Sequence, residues 1–128
     1  MAYVLDTSVA IHLRDGDPAV TSKVAALQGA VLMSVITRVE LEGGVYRDPA
    51  HAPIGRARLD AMFRAIPTLA FDDLAAQAYA SIVASAGYSR RKLLDRMIAA
   101  QALHHRATLI TLNPRDFSDI SGLTLLPW

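Results

Sequence analysis

The chain contains no cysteine, which excludes disulfides and thiolate metal sites and fits a reducing compartment. Neither sign of charge dominates: 13 Lys and Arg against 12 Asp and Glu leave a net +1. That rules out a broadly basic surface, so any nucleic-acid contact must rest on local positive charge. Aromatic residues make up only 6% of the chain. Tyr3, Phe63, Phe71 and Tyr79 fall on core-like faces, and the freer Tyr46 and Tyr88 do not make a base-stacking platform. The apolar content is 52%, yet no run approaches the roughly 18 residues of a membrane span. The start, Met1-Ala2-Tyr3-Val4-Leu5-Asp6, lacks the basic head and apolar core of a signal peptide. A cytoplasmic protein without a membrane partner is expected. No linker, repeat or low-complexity tract interrupts the sequence, which predicts one domain over residues 1–128.

What is present is an alternation of short apolar runs with helical patterns. Tyr3 to Leu5, Ala30 to Ser34, Thr68 to Phe71, Thr108 to Thr111 and Leu123 to Leu126 read as strands. Between them, helical spacing appears at Val9 to Leu13, Ala19 to Leu27, from Thr37 to Gly43-Gly44, Ile54 to Ile66, Leu74 up to Gly87, and Leu93 to His105. Strands separated by helices imply crossover connections. The expected fold is therefore α/β: a central, mostly parallel sheet of four to five strands flanked by helices in three layers. Ligands of such sheets bind beyond the carboxyl ends of the strands.

Four acids fall in that zone: Asp6 after the first strand, Glu40 after the second, Asp95 early in the helix feeding the fourth, and Asp116 after the fourth. Each has a local explanation. Asp6 suits a helix cap, Thr37 and Glu40 fit a capping box, and Asp95 complements a helix dipole. Asn113-Pro114-Arg115-Asp116 reads as a capped turn. Taken together they point elsewhere, because four converging carboxylates repel and call for a hard cation between them. The face around Glu40 carries Gly43 and Gly44, and that around Asp95 carries Ile98, Ala99 and Ala102. Such small side chains leave room for a second element or a ligand. Mg²⁺ and Mn²⁺ prefer carboxylate and water oxygens, activate water and neutralise charge at a phosphoryl centre, so the acid set suggests phosphodiester hydrolysis.

The ordered set of motifs resembles the PIN-domain family. It consists of Val4-Leu5-Asp6-Thr7-Ser8, the Ser34 to Gly44 segment with Glu40-Leu41, Asp95-Arg96-Met97-Ile98-Ala99-Ala100, and Leu109 to Phe117. Order, spacing and length look most like the VapC-type toxins of bacterial toxin–antitoxin pairs, over essentially the whole chain. The resemblance implies a Mg²⁺- or Mn²⁺-dependent endoribonuclease, homodimeric and held inactive by a cognate antitoxin. Asp6, Glu40, Asp95 and Asp116 are then the catalytic, metal-binding acids, and Ser8, Thr111 and Asn113 their polar supports. One departure stands out: a second acid or polar residue often follows the third motif's acid in the family, whereas here Arg96 follows Asp95. The sequence leaves open whether Arg96 reaches phosphate or pairs with a carboxylate.

Ser89-Arg90-Arg91-Lys92 is the densest positive run and lies just before Asp95. With Arg96 it is the candidate RNA-binding segment, and Arg47, Arg56 and Arg58 are candidates to extend it. His104 and His105, adjacent at a helix end, point about 100° apart and do not suit a shared ion. Alanine-rich apolar faces at Val20 to Leu27 and Ile54 to Ile66 suggest surface in excess of what one small sheet covers, and hence a dimer. An alternative reading makes the chain a PIN-like binding module that acts through its antitoxin complex in promoter autoregulation. A phospho-aspartyl phosphatase needs an acid two residues after Asp6, where Ser8 stands.

Overall fold

The computed structural model describes all residues, Met1–Trp128. Its elements in chain order are β1 (Ala2–Leu5), α1 (Thr7–Arg14), α2 (Pro18–Ala25), β2 (Ala30–Ser34), α3 (Val35–Val45), α4 (Ala52–Ala65), β3 (Thr68–Leu69), α5 (Asp73–Ala86), α6 (Leu93–His104), β4 (Thr108–Thr111) and β5 (Leu125–Pro127). Short 3-10 turns at Pro49–His51 and Pro114–Phe117 complete it. The five strands form one sheet in the order β3-β2-β1-β4-β5, every pair parallel. Helices lie on both faces, as the alternating pattern predicts.

Strand alternation divides the core in two, because successive side chains leave opposite faces. Leu5, Met33 and Ile110 join Val9, Val20, Leu41, Leu59 and Met62 beneath α1 to α4. Val4 and Leu109 join Ile82, Ile98, Ala99, Ala102 and Phe117 beneath α5 and α6. Ile98, Ala99 and Ala102 are fully buried in this second core, so the room beside Asp95 is taken by a second element rather than a ligand. Two sequence expectations are corrected here. The apolar residues of the Val20 to Leu27 stretch turn inward, Val20 buried and Val24 and Leu27 partly so, and α4 buries Leu59 and Met62, which leaves Ile54 as the exposed large apolar residue of these two faces. Finally, α3 starts earlier than a Thr37–Glu40 capping box requires. Ser34 is its cap, accepting from the Ile36 N–H at 2.9 Å, and Thr37 is buried inside the helix.

The edge strand β3 has only two residues and is held from the side. Buried Gln101 on α6 donates to the carbonyls of Leu69 (3.1 Å) and Ala70 (3.0 Å), and its amide oxygen accepts from the Ser34 hydroxyl. One side chain thus ties α6 to the ends of β2 and β3. Gln101→Leu keeps the volume but strands these partners, and should cost about 1–3 kcal/mol in urea unfolding. An unchanged midpoint would show that the bonds are dispensable.

Candidate functional site

Parallel pairing sends the carboxyl ends of β2, β1 and β4, three adjacent strands, to the same edge of the sheet. Asp6 follows directly on β1 and is the best fixed of the four acids, only 4% exposed. Its Oδ1 accepts from the Val9 N–H (3.0 Å), capping α1, and from the Ser8 hydroxyl (2.6 Å). Its Oδ2 accepts from the Thr111 hydroxyl at the end of β4 (2.5 Å). Ser8 and Thr111 in turn accept from the backbone N–H groups of Leu112 (3.3 Å) and Asn113 (2.9 Å). With two lone pairs per oxygen, Oδ1 is saturated and Oδ2 keeps one free. The expected supports Ser8 and Thr111 therefore do touch Asp6, while Asn113 contributes its backbone. The Asn113 side chain makes no capping bond to the Pro114–Phe117 turn.

Glu40 lies on the exposed side of α3, one turn beyond buried Thr37. The Thr7 hydroxyl donates to Glu40 Oε1 at 2.8 Å and lies 3.0 Å from the Thr37 hydroxyl. Thr7 has one proton and gives it to the carboxylate, so Thr37 is the donor to Thr7. This relay was not foreseen, although Thr7 sits in the Asp6-Thr7-Ser8 motif. Asp95 is half-buried in the first turn of α6, and Asp116 is exposed in the turn after β4.

Asp95 senses the other three acids. Burial above all, then the negative charges of Asp116, Asp6 and Glu40, push the Asp95 carboxyl up to about 6. Of the remaining acids, Asp15, Glu42, Asp48, Asp60 and Asp119 have ion-pair partners. Asp17, Asp72 and Asp73 stand at helix N-termini, as Asp6 and Asp95 also do. No Lys, Arg or His lies within ion-pair distance of Asp6, Glu40, Asp95 or Asp116. Nor do any three His, Cys, Asp or Glu side chains stand close enough to grip one ion directly. The donor set nonetheless suits Mg²⁺, which takes one or two carboxylates and keeps several waters.

The basic residues divide differently from the expectation. Arg90 and Arg91 are exposed, and Lys92 pairs with Asp119 at 2.9 Å. Arg96 is not available to RNA: it is 2% exposed, donating to the Gly87 carbonyl (2.5 Å) and to Asp119 (3.0 Å). Arg56 is likewise engaged, by Glu42 and Asp60. The hollow beside Glu40, about 420 Å³, is instead lined by Thr7, Arg14, Gly44 and Arg47. Arg14 gave no signal in the sequence, because its place opposite Gly44 depends on how α1 crosses α3. Gly43 is open to solvent and a Cβ there would meet nothing, so its lack of a side chain answers to no packing within the chain.

A family model described as PIN domain matches residues 3–123. The chain belongs to the PIN domain family. Its structure is also similar throughout to solved members of toxin–antitoxin complexes. VapBC2 from Rickettsia felis, solved with a DNA fragment from its promoter, aligns with a TM-score of 0.87 at 22% identity, over 100% of this chain and 99% of the other. VapBC-1 from nontypeable Haemophilus influenzae gives 0.81 at 26%, over 100% and 98%. VapBC-5 from Mycobacterium tuberculosis, of the VapBC family of toxin–antitoxin systems, gives 0.74 at 29%, over 99% and 98%. No curated relative matches the chain in sequence.

The raised Asp95 makes a pH test possible for this PIN domain. Its folded-state value of about 6 exceeds the ordinary 3.8, so the folded state holds that proton more tightly. Stability is then gained as pH falls through 6 and lost as pH rises through it. In chelator, the melting temperature should rise between pH 7.5 and pH 5, and Asp95→Asn should flatten the profile. A wild-type melting temperature independent of pH over that range would contradict the coupling.

Proposed function

We propose that the chain is a VapC-type toxin, an Mg²⁺- or Mn²⁺-dependent endoribonuclease neutralised by a cognate antitoxin. The observation that carries this reading is that four acids gather at one sheet edge with no Lys, Arg or His in ion-pair distance of any of them, whereas five of the other eight have such a partner. A cluster of repelling carboxylates is unfavourable unless a cation joins it. The PIN family and the toxin–antitoxin neighbours support both the chemistry and the kind of partner.

In this reading Asp6 and Asp95 form the floor of the metal site, and Glu40 and Asp116 the exposed rim. A bound Mg²⁺ or Mn²⁺ supplies charge neutralisation at the phosphoryl group and lowers the pKa of a water. Ser8, Thr111 and the Val9 N–H fix Asp6 and leave one lone pair of Oδ2 free. Thr37, through Thr7, fixes Glu40. Arg47 beside Glu40, with Arg90 and Arg91 before α6, counters the phosphates that an acidic site would repel, while Arg14 nearby is paired with Asp15. Homodimerisation belongs to the family resemblance alone, and light scattering of the toxin tests it.

Purified protein should cleave RNA with Mg²⁺ or Mn²⁺ and stop on chelation. Asp95→Asn should abolish cleavage and growth arrest, and Thr111→Val, which frees Asp6 and leaves the Asn113 N–H without its acceptor, should reduce cleavage by about 10–100-fold. Full activity of Asp95→Asn would refute the assignment. The neighbour solved on promoter DNA favours a second reading, a binding module acting in autoregulation. That reading prevails if no nuclease activity appears and antitoxin binding survives substitution of every acid.

A further inference from the structure

We infer that Arg96 and Asp119 form a strut that sets the spacing of Asp95 and Asp116, making both positioning residues of the metal site. The inference rests on the metal-site reading above and extends it to residues outside the acid cluster. Arg96 follows Asp95 on α6, and Asp119 comes three residues after Asp116, so the ion pair links the two segments that carry these acids. Arg96 Nη2 meets Asp119 Oδ2 at 3.0 Å, and Lys92 Nζ meets the same oxygen at 2.9 Å. The two cations hold the Asp119 carboxyl below the usual range.

The same guanidinium donates through Nη1 to the carbonyl of Gly87 at 2.5 Å. Gly87 ends α5 with φ +86°, a conformation that L side chains rarely adopt, so its carbonyl direction depends on glycine. Arg96 thereby fastens three segments: the end of α5, the start of α6 and the loop after β4. At the start of α6, Lys92 in the cap position gives no side-chain capping bond, and its own N–H donates to the Ser89 hydroxyl at 3.3 Å. Arg96 Nε is buried without a partner, so the residue is not optimally satisfied where it lies. A buried charge with an orphaned donor is a poor stabiliser compared with an apolar side chain of similar size. Its evident contribution is geometry.

The geometry has an opponent. Asp95 in the first turn of α6 and Asp116 in the turn after β4 are both carboxylates of the cluster, and like charges push the segments that carry them apart. The strut opposes that drive from behind the site. Lys cannot replace Arg here, since one ammonium does not span a carbonyl and a carboxylate with the planar fork of Arg.

Because Arg96→Met removes a buried charge and threatens folding, the test uses the more exposed Asp119. Mn²⁺ affinity is measured by electron paramagnetic resonance on wild type, Asp119→Asn and Asp119→Glu, with circular dichroism to confirm folding. Amide exchange of residues 87–96 and 114–119 is followed in metal-free protein. Asp119→Asn should bind Mn²⁺ about 10-fold more weakly and exchange faster in both segments, with Asp119→Glu restoring both. Wild-type affinity in folded Asp119→Asn overturns the strut while leaving the metal reading intact. Failure of wild type itself to bind Mn²⁺ overturns both.

Discussion

The mutual repulsion of four carboxylates at one edge of a parallel sheet is the constraint around which this structure is arranged. Parallel pairing of β2, β1 and β4 brings Asp6, Glu40 and Asp116 to the same edge, and α6 adds Asp95. No cation of the chain relieves them, and the cost is visible in the Asp95 carboxyl, pushed up to about 6 by burial and by its neighbours' charge. An arrangement that is unfavourable for the empty protein is suited to a charged ligand, which gains from every repulsion it removes.

Holding such a cluster needs bonds that do not neutralise it. Neutral donors do this: Ser8, Thr111 and the Val9 N–H on Asp6, and the Thr37–Thr7 relay on Glu40. They fix direction while leaving the negative charge for a cation. Cationic side chains are kept a step away. Arg14 and Arg47 line the hollow beside Glu40 without pairing to it, and Arg96 and Lys92 spend their charge on Asp119 behind the site. The division of labour matches a site that must hold a hard ion and still admit a polyanion.

Much of the fold was legible because periodicity and chain breaks report it directly. Ala30–Ser34 and Thr108–Thr111 were bounded to the residue by their apolar runs and the polar residues that follow. The cap of α3 was misplaced because Thr37 and Glu40 mimic a capping box, while Ser34, as the last residue of a strand, gives no helical signal. At the candidate site, the acids were legible as types at strand ends, and Ser8 and Thr111 as their neighbours. Thr7, Arg14 and Asp119 were not, because their roles depend on which helix crosses which. Arg96 shows the limit best: beside Asp95 in sequence, a helix turns it about 100° away, into the core and onto Asp119. Likewise Ile98, Ala99 and Ala102 share a helical face with Asp95, but burial decides what that face does.

The central claim, that the acid cluster is built for a divalent cation, is tested most directly by calorimetric titration with Mn²⁺ in buffers of different ionisation heat. A cation that draws Asp95 into ionised form must release its proton. At pH 6, where Asp95 is about half protonated, binding should release about half a proton per protein, and at pH 8 none. Absence of Mn²⁺ binding, or binding with no proton release at pH 6, would contradict the account.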